Sequence, residues 1–94
     1  EPLRTGIDLD RGNWEGHYRL AEAYYGTGDY RKSIEAGKSA LNKKREAPAA
    51  QVIIADSYGK LNMKSEARTW YLKAAGDSRF KNYCNFKLEE LTEH

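Results

Sequence analysis

The sequence carries a weak internal repeat with a period of 34 residues, and this period restricts the possible folds more than any other feature. The positions in this register are Leu20 with Ile54, Ala21 with Ala55, Tyr24 with Tyr58, Gly28 with Asn62, Ser33 with Ala67, Gly37 with Tyr71, Ala40 with Ala74 and Arg45 with Arg79. Small residues mostly meet small ones, and turn formers meet turn formers. A unit of this length cannot bury its apolar faces alone, so the period predicts units that stack on one another.

Apolar side chains recur at helical spacing through most of the chain. The first stripe consists of His17, Leu20, Ala21 and Tyr24. The stripes predict five helices, at about residues 14–26, 30–42, 48–62, 65–75 and 79–92. No segment alternates between apolar and polar residues over a useful length, so the predicted fold class is all-α.

Residues typical of helix ends stand between the predicted helices. Asn13 and Asp29 are candidate N-caps. Pro48 suits the first turn of a helix, because an N–H at that position would have no partner within the helix. Gly28 and Asn62 are predicted to adopt the left-handed backbone conformation that ends a helix.

With these residues in place, the chain resembles the tetratricopeptide repeat (TPR) family, whose 34-residue unit is a helical hairpin. The first-helix positions of the family pattern hold His17, Leu20, Ala21 and Tyr24 in one unit and Gln51, Ile54, Ala55 and Tyr58 in the next. The second-helix positions hold Ser33, Gly37 and Ala40, then Ala67, Tyr71 and Ala74. The resemblance implies a TPR-type α-solenoid, in which antiparallel helix pairs stack into a right-handed superhelix.

The resemblance covers nearly the whole chain as one domain. Residues 1–12 would be the tail of a preceding repeat, 14–47 the first repeat, 48–81 the second, and 79–94 a terminal or capping helix. We expect the chain to be a fragment of a longer protein. The family pattern is broken at Gly37, where a large aromatic side chain is usual. This glycine either draws the helices together or leaves a gap that Trp14 or Tyr30 fills.

Composition excludes several classes of function. The 94 residues include 16 Lys+Arg and 14 Asp+Glu, and the net charge of +2 is too balanced for a nucleic-acid binder that relies on clustered cations. No apolar run approaches the roughly 18 residues of a membrane span, so no direct membrane insertion is expected. One cysteine is equally compatible with cytoplasm and periplasm, so the location stays open.

No set of side chains indicates catalysis, a metal ion or a cofactor. His17 has no cysteine, carboxylate or second histidine at the spacing that a metal site or a catalytic triad needs. Cys84 falls on the predicted buried stripe of the last helix, where a free cysteine behaves as a small apolar residue. Glu22 and Asp56 stand one repeat apart, but acids on the solvent side of helices are common. We therefore expect neither an enzyme nor a cofactor.

The resemblance implies a binding surface instead, because the first helices of successive TPR units line a concave groove. The residues predicted to face this groove are Tyr18, Glu22, Tyr25, Val52, Asp56, Lys60 and Phe86. Exposed apolar clusters often mark binding sites. Packing of the same side chains between repeats is the alternative, and both interpretations stay open at this point.

The function expected is that of a non-catalytic protein-interaction module in a larger scaffold or assembly factor. Its partner would be a helical or extended protein segment with an apolar anchor and a cation directed at Glu22 or Asp56. The clamp with which some TPR domains hold a C-terminal carboxylate is not expected, since Tyr18 and Glu22 occupy matching positions. The alternative is structural self-association, in which residues 3–7 and 80–91 stack on further copies of the chain.

Overall fold

The computed structural model describes residues 14–45 and 47–92, which form five helices. These are α1 (Trp14–Thr27), α2 (Tyr30–Lys43), α3 (Pro48–Lys60), α4 (Lys64–Ala74) and α5 (Lys81–Thr92). Because this part of the chain contains no strand, the all-α prediction is confirmed for it, and each helix begins and ends within two residues of its predicted bounds. The predicted repeat tail at 1–12, the Asn13 cap and the last two residues lie outside the described residues.

Helices α1 and α3 end in the same hydrogen-bonded turn. Gly28 has φ +87° and Asn62 has φ +63°, which confirms the left-handed conformation predicted for both. The closing bonds run from the Asp29 N–H to the Tyr24 carbonyl and from the Met63 N–H to the Tyr58 carbonyl, each at 2.9 Å. Both turns therefore form the Schellman motif, which satisfies carbonyls that the end of a helix leaves without partners.

The beginnings of the helices differ from prediction in one respect. Asp29 occupies the N-cap position of α2, but its side chain forms no cap hydrogen bond. Its carboxylate accepts instead from the Thr27 hydroxyl at 3.2 Å, within the preceding turn. Pro48 is the first residue of α3, as predicted.

The helices begin at regular intervals and pack in chain order. α1 begins at Trp14 and α3 at Pro48, while α2 begins at Tyr30 and α4 at Lys64, so each interval is 34 residues. Each helix packs against the next one, and α1 also contacts α3. Contact between α1 and α3 places the first helices of the two hairpins side by side, on the same face of a body that measures 42 × 26 × 16 Å.

The closest approach between the hairpins is that of Gly37 in α2 to Ile54 in α3. A Cβ atom at residue 37 would lie 2.5 Å from Cγ1 of Ile54 and 3.0 Å from its Cδ1. Ile54 is fully buried and is the largest side chain to be so. Of the two alternatives for this glycine, the structure has the first, in which the helices are drawn together.

Four alanines occupy the remaining tight positions between the helices. Ala21, Ala40, Ala55 and Ala74 are all fully buried, as their small size in the repeat register predicts. Trp14 packs with Tyr18 and Leu41 against a cluster of buried alanines in α2 and α3. It therefore covers the end of the hairpin interface and does not fill a gap beside Gly37.

A buried polar contact joins α1, α2 and α3. The Ser33 hydroxyl donates to the Ala21 carbonyl at 2.8 Å, and the Ser57 hydroxyl lies 3.1 Å from the Ser33 oxygen. Ser57 also lies 2.8 Å from the carbonyl of Ile53 in its own helix. Both serines are fully buried, so these bonds offset the cost of removing two hydroxyl groups from water.

We predict that Gly37→Ala destabilises the protein by about 1–2 kcal/mol. Overpacking costs about 1–3 kcal/mol, and only about 0.5–1 kcal/mol is regained when alanine replaces glycine in a helix. The matched control is Gly59→Ala, because Gly59 is an exposed helical glycine where an added Cβ would have no atom within 4 Å. Chemical denaturation followed by circular dichroism should give opposite signs for the two variants. Equal stabilisation by both would contradict the close approach.

Truncation of the fully buried side chain in α3 tests the same interface from the other side. Ile54→Ala should lower the free energy of unfolding by roughly 2–5 kcal/mol, through lost apolar burial and the cavity left behind. The control is Leu72→Ala in α4, whose side chain is 56% exposed and should change stability by no more than about 0.5 kcal/mol. A thermal melt in which Ile54→Ala shifts the midpoint no more than Leu72→Ala would refute the packing described here.

Candidate functional site

A cavity of about 330 Å³ lies along one face of the helices, and we call it the groove. It is lined by Tyr25 of α1, by Asp56, Gly59 and Lys60 of α3, by Lys64 and Tyr71 of α4, and by Lys87, Glu90 and Leu91 of α5. Most of the lining thus comes from α1, α3 and α5, the first, third and fifth helices. Its volume falls in the range of cavities that hold small ligands or a few side chains of a partner.

The carboxylate of Asp56 holds three helices together at one end of the groove. It accepts a hydrogen bond from the Tyr71 hydroxyl of α4, and the Tyr83 hydroxyl of α5 lies 2.9 Å from Oδ1 and 3.1 Å from Oδ2. The two tyrosine rings meet edge to face, with their centroids 6.3 Å apart. Hydrogen bonds to a charged acceptor are stronger than neutral ones, so this cluster is the main polar attachment of α5.

Burial and the nearby carboxylate act in the same direction on the tyrosines around Asp56. Burial raises the pKa of Tyr71 and of Tyr83 well above the usual value, and the negative charge of Asp56 raises each pKa further. The pKa of Tyr25 is also raised, first by burial and then by the charge of Asp56. At neutral pH these hydroxyls are therefore protonated donors, and two of them occupy the carboxylate.

Three lysines from three helices surround the groove. Lys87 forms an ion pair with Glu90 at 3.4 Å, so part of its charge is already balanced within α5. Lys60 and Lys64 are both exposed, and neither ammonium group forms an ion pair with another described residue. The groove therefore presents two unpaired cations beside a carboxylate that is already hydrogen-bonded.

Of the seven residues predicted to face the groove, the structure brings three to it: Tyr25, Asp56 and Lys60. Tyr18 is half-buried against the alanine cluster of α2 and α3. Its hydroxyl donates to the Glu22 carboxylate at 3.0 Å, and burial followed by this bond raises the pKa of Tyr18 to about 12. These two residues form a pair of their own on α1.

The other two predicted residues lie elsewhere. Val52 packs against the buried cluster around Ala55 and Tyr71, which is the alternative of packing between helices. Phe86 is 56% exposed on α5 but does not line the groove. The turn of α5 that reaches the groove carries Lys87, Glu90 and Leu91 instead. Their spacing of three and four residues is the signal from which they could have been predicted.

Tyr71 and Lys64 were missed for a different reason. Tyr71 occupies the repeat position of Gly37, where sequence reasoning predicts only core packing. It is indeed buried, but its hydroxyl reaches the groove through Asp56. Lys64 begins α4 immediately after the turn at Asn62, and only the course of that turn brings it beside Lys60 in the lining.

The titratable residues considered for catalysis have structural surroundings. Cys84 is fully buried, and burial raises the pKa of its thiol, so little thiolate forms at neutral pH. Within the described ranges no group of three or more His, Cys, Asp or Glu side chains is placed to hold a metal ion. In the same part of the chain, every helix is too short or too polar to cross a bilayer.

The tyrosine cluster predicts a specific loss of stability at alkaline pH. Unfolded tyrosines ionise near pH 10, whereas the raised pKa values keep Tyr71 and Tyr83 protonated in the folded state. Stabilisation from this source is complete below about pH 10 and is lost as the pH rises toward the folded pKa values. Denaturation midpoints should therefore fall above about pH 10, and fall less in Tyr71→Phe/Tyr83→Phe. An identical pH dependence in both proteins would contradict the assignment, since lysine ionisation is common to them.

Comparison with known proteins identifies no relative. The sequence matches no family model and no curated protein. What this chain does therefore has to be inferred from the geometry and the chemistry of its own residues.

Proposed function

We propose that this chain is a TPR-type α-solenoid, with helix pairs stacked in a right-handed superhelix. Three observations support the proposal. The helices of the second hairpin begin 34 residues after those of the first, and α1 and α3 both end in a Schellman turn. Small residues stand at the equivalent tight contacts, with Ala21 and Ala55 in one pair and Ala40 and Ala74 in the other.

On this architecture we propose a non-catalytic interaction module that binds a protein segment in the groove. The observation that carries this function is the groove itself, because its lining comes mainly from α1, α3 and α5, the helices that would face inward in such a stack. The lining combines apolar surface from Tyr25 and Leu91 with charged groups from three helices. A peptide or helix with apolar and polar side chains is the ligand that such a surface suits.

Self-association is the second candidate, and it rests on one observation. Phe86 on α5 and Leu72 on α4 are large apolar side chains that are each 56% exposed. A second copy of the chain stacked on α5 would cover Phe86, in the way that successive units of a solenoid cover each other. In that case the groove would be incidental to function.

We predict that Gly59→Gln abolishes peptide binding while the fold is kept. Gly59 lines the groove, and no atom lies within 4 Å of a Cβ placed there, so a glutamine side chain would project into the cavity without displacing the core. The matched control is Gly26→Gln, since Gly26 is an exposed glycine in the last turn of α1 with equally open surroundings and no part in the lining. Circular dichroism would verify that both variants are folded.

The binding assay is a selection from a random peptide display library on the wild-type chain. Enriched peptides whose binding is lost in Gly59→Gln and kept in Gly26→Gln would support a groove-binding module. Absence of enrichment, or binding that both variants keep, would overturn it. If sedimentation then shows a mass that rises with concentration and that Phe86→Ser reduces to the monomer, self-association takes the place of groove binding.

A further inference from the structure

The charge of the groove points to a different partner from the one expected on sequence alone. The spacing of the acids predicts a partner cation directed at Glu22 or Asp56. In the structure, Asp56 already accepts hydrogen bonds from Tyr71 and Tyr83, and Glu22 is bonded to Tyr18 and does not line the groove. An incoming ammonium group would have to displace buried tyrosine donors to reach Asp56, so the carboxylate is a poor receptor for a cation.

The unpaired charges beside this cluster are positive. Lys60 ends α3 and Lys64 begins α4, and both line the groove without an ion pair to another described residue. Lys87, the third lysine of the lining, is engaged with Glu90. The available electrostatic attraction is therefore toward anionic groups, and complementary charge gives an interface its orientation and its association rate.

Apolar surface lies beside these cations. The half-buried Leu91 packs against the core around Ala55, and it lines the groove together with the ring of Tyr25. Tyr25 in turn meets Tyr30 edge to face, with ring centroids 5.4 Å apart, so its position is supported from α2. A rigid aromatic ring beside an aliphatic side chain forms the kind of contact that anchors one apolar residue of a partner.

We propose that the groove binds an internal acidic segment of a partner protein, with side-chain carboxylates at Lys60 and Lys64 and an apolar side chain against Leu91 and Tyr25. This proposal rests on the proposed function and names the chemistry of its ligand. The geometry favours carboxylates over a phosphate, because no arginine lines the groove. A planar guanidinium fork is the group that recognises phosphate with two parallel hydrogen bonds, whereas lysines act as separate point charges.

The test uses the full 94-residue chain and three synthetic peptides with blocked ends. The first has a central leucine flanked by glutamates, the second has glutamines in place of the glutamates, and the third has phosphoserine at one acidic position and glutamine at the others. Fluorescence anisotropy at low ionic strength measures the affinity of each. We expect only the glutamate peptide to bind well, and its affinity to fall as salt is added.

The protein variant that tests the contact is Lys60→Gln/Lys64→Gln. Its matched control is Lys43→Gln/Lys81→Gln, which removes the same charge from one lysine in the last turn of α2 and one at the first position of α5, both exposed and outside the groove. Two exposed ion pairs are expected to contribute about three- to tenfold in affinity. The Lys60/Lys64 variant should lose that factor, and the control should keep the wild-type affinity.

Each other outcome overturns the proposal in a distinguishable way. Equal loss in both variants would mean that the peptide responds to overall charge and has no contact with the groove. Tighter binding of the phosphoserine peptide would replace carboxylate recognition with phosphate recognition. If library peptides blocked by Gly59→Gln contain no excess of Asp and Glu, the groove binds a partner but the acidic assignment is wrong. If no library peptide depends on Gly59, the proposed function itself fails.

Discussion

The contact between Gly37 and Ile54 joins the two helical hairpins, and the remaining packing depends on it. Without a side chain at residue 37, α2 approaches α3 until the buried isoleucine fills the space that a Cβ would need. The same approach brings Ser33 and Ser57 within 3.1 Å of each other. A larger residue in α2 would separate the helices, and the serines would then be buried without partners, at a cost comparable to that of the overpacking.

The second hairpin and α5 are held by a different kind of contact. Where the first unit has glycine, the second has Tyr71, whose buried ring fills the interface and whose hydroxyl reaches Asp56. Tyr83 of α5 binds the same carboxylate, while Cys84 and Leu88 pack on the apolar cluster below. One unit therefore stacks by close approach of backbones, and the other by an aromatic side chain whose polar end is satisfied by an acid.

This difference has a consequence for the groove. Because Asp56 is occupied by tyrosine hydroxyls, the acid that looks most available in the sequence contributes to the attachment of α5. The charges left for a ligand are those of Lys60 and Lys64, which stand on either side of the turn between α3 and α4. A cluster that stabilises the fold thereby determines which sign of charge the groove offers to a partner.

Local sequence signals determined much of this protein. The helical stripes predicted all five helices within two residues, and the chemistry of Gly28 and Asn62 predicted their left-handed turns, because φ and ψ there depend on the residue itself and its neighbours. The repeat register likewise predicted the buried alanines.

The tertiary structure alone decided how the side chains of different helices meet. Asp56 is one of many helical acids in the sequence, and only packing brings Tyr71 and Tyr83 to it from 15 and 27 residues away. Lys64 and Lys87 enter the groove, whereas Val52 packs into the core and Phe86 stays outside the groove. Periodicity defines the faces of one helix, but it does not define the rotation of that helix against its neighbours, and this rotation selects which residues share a site.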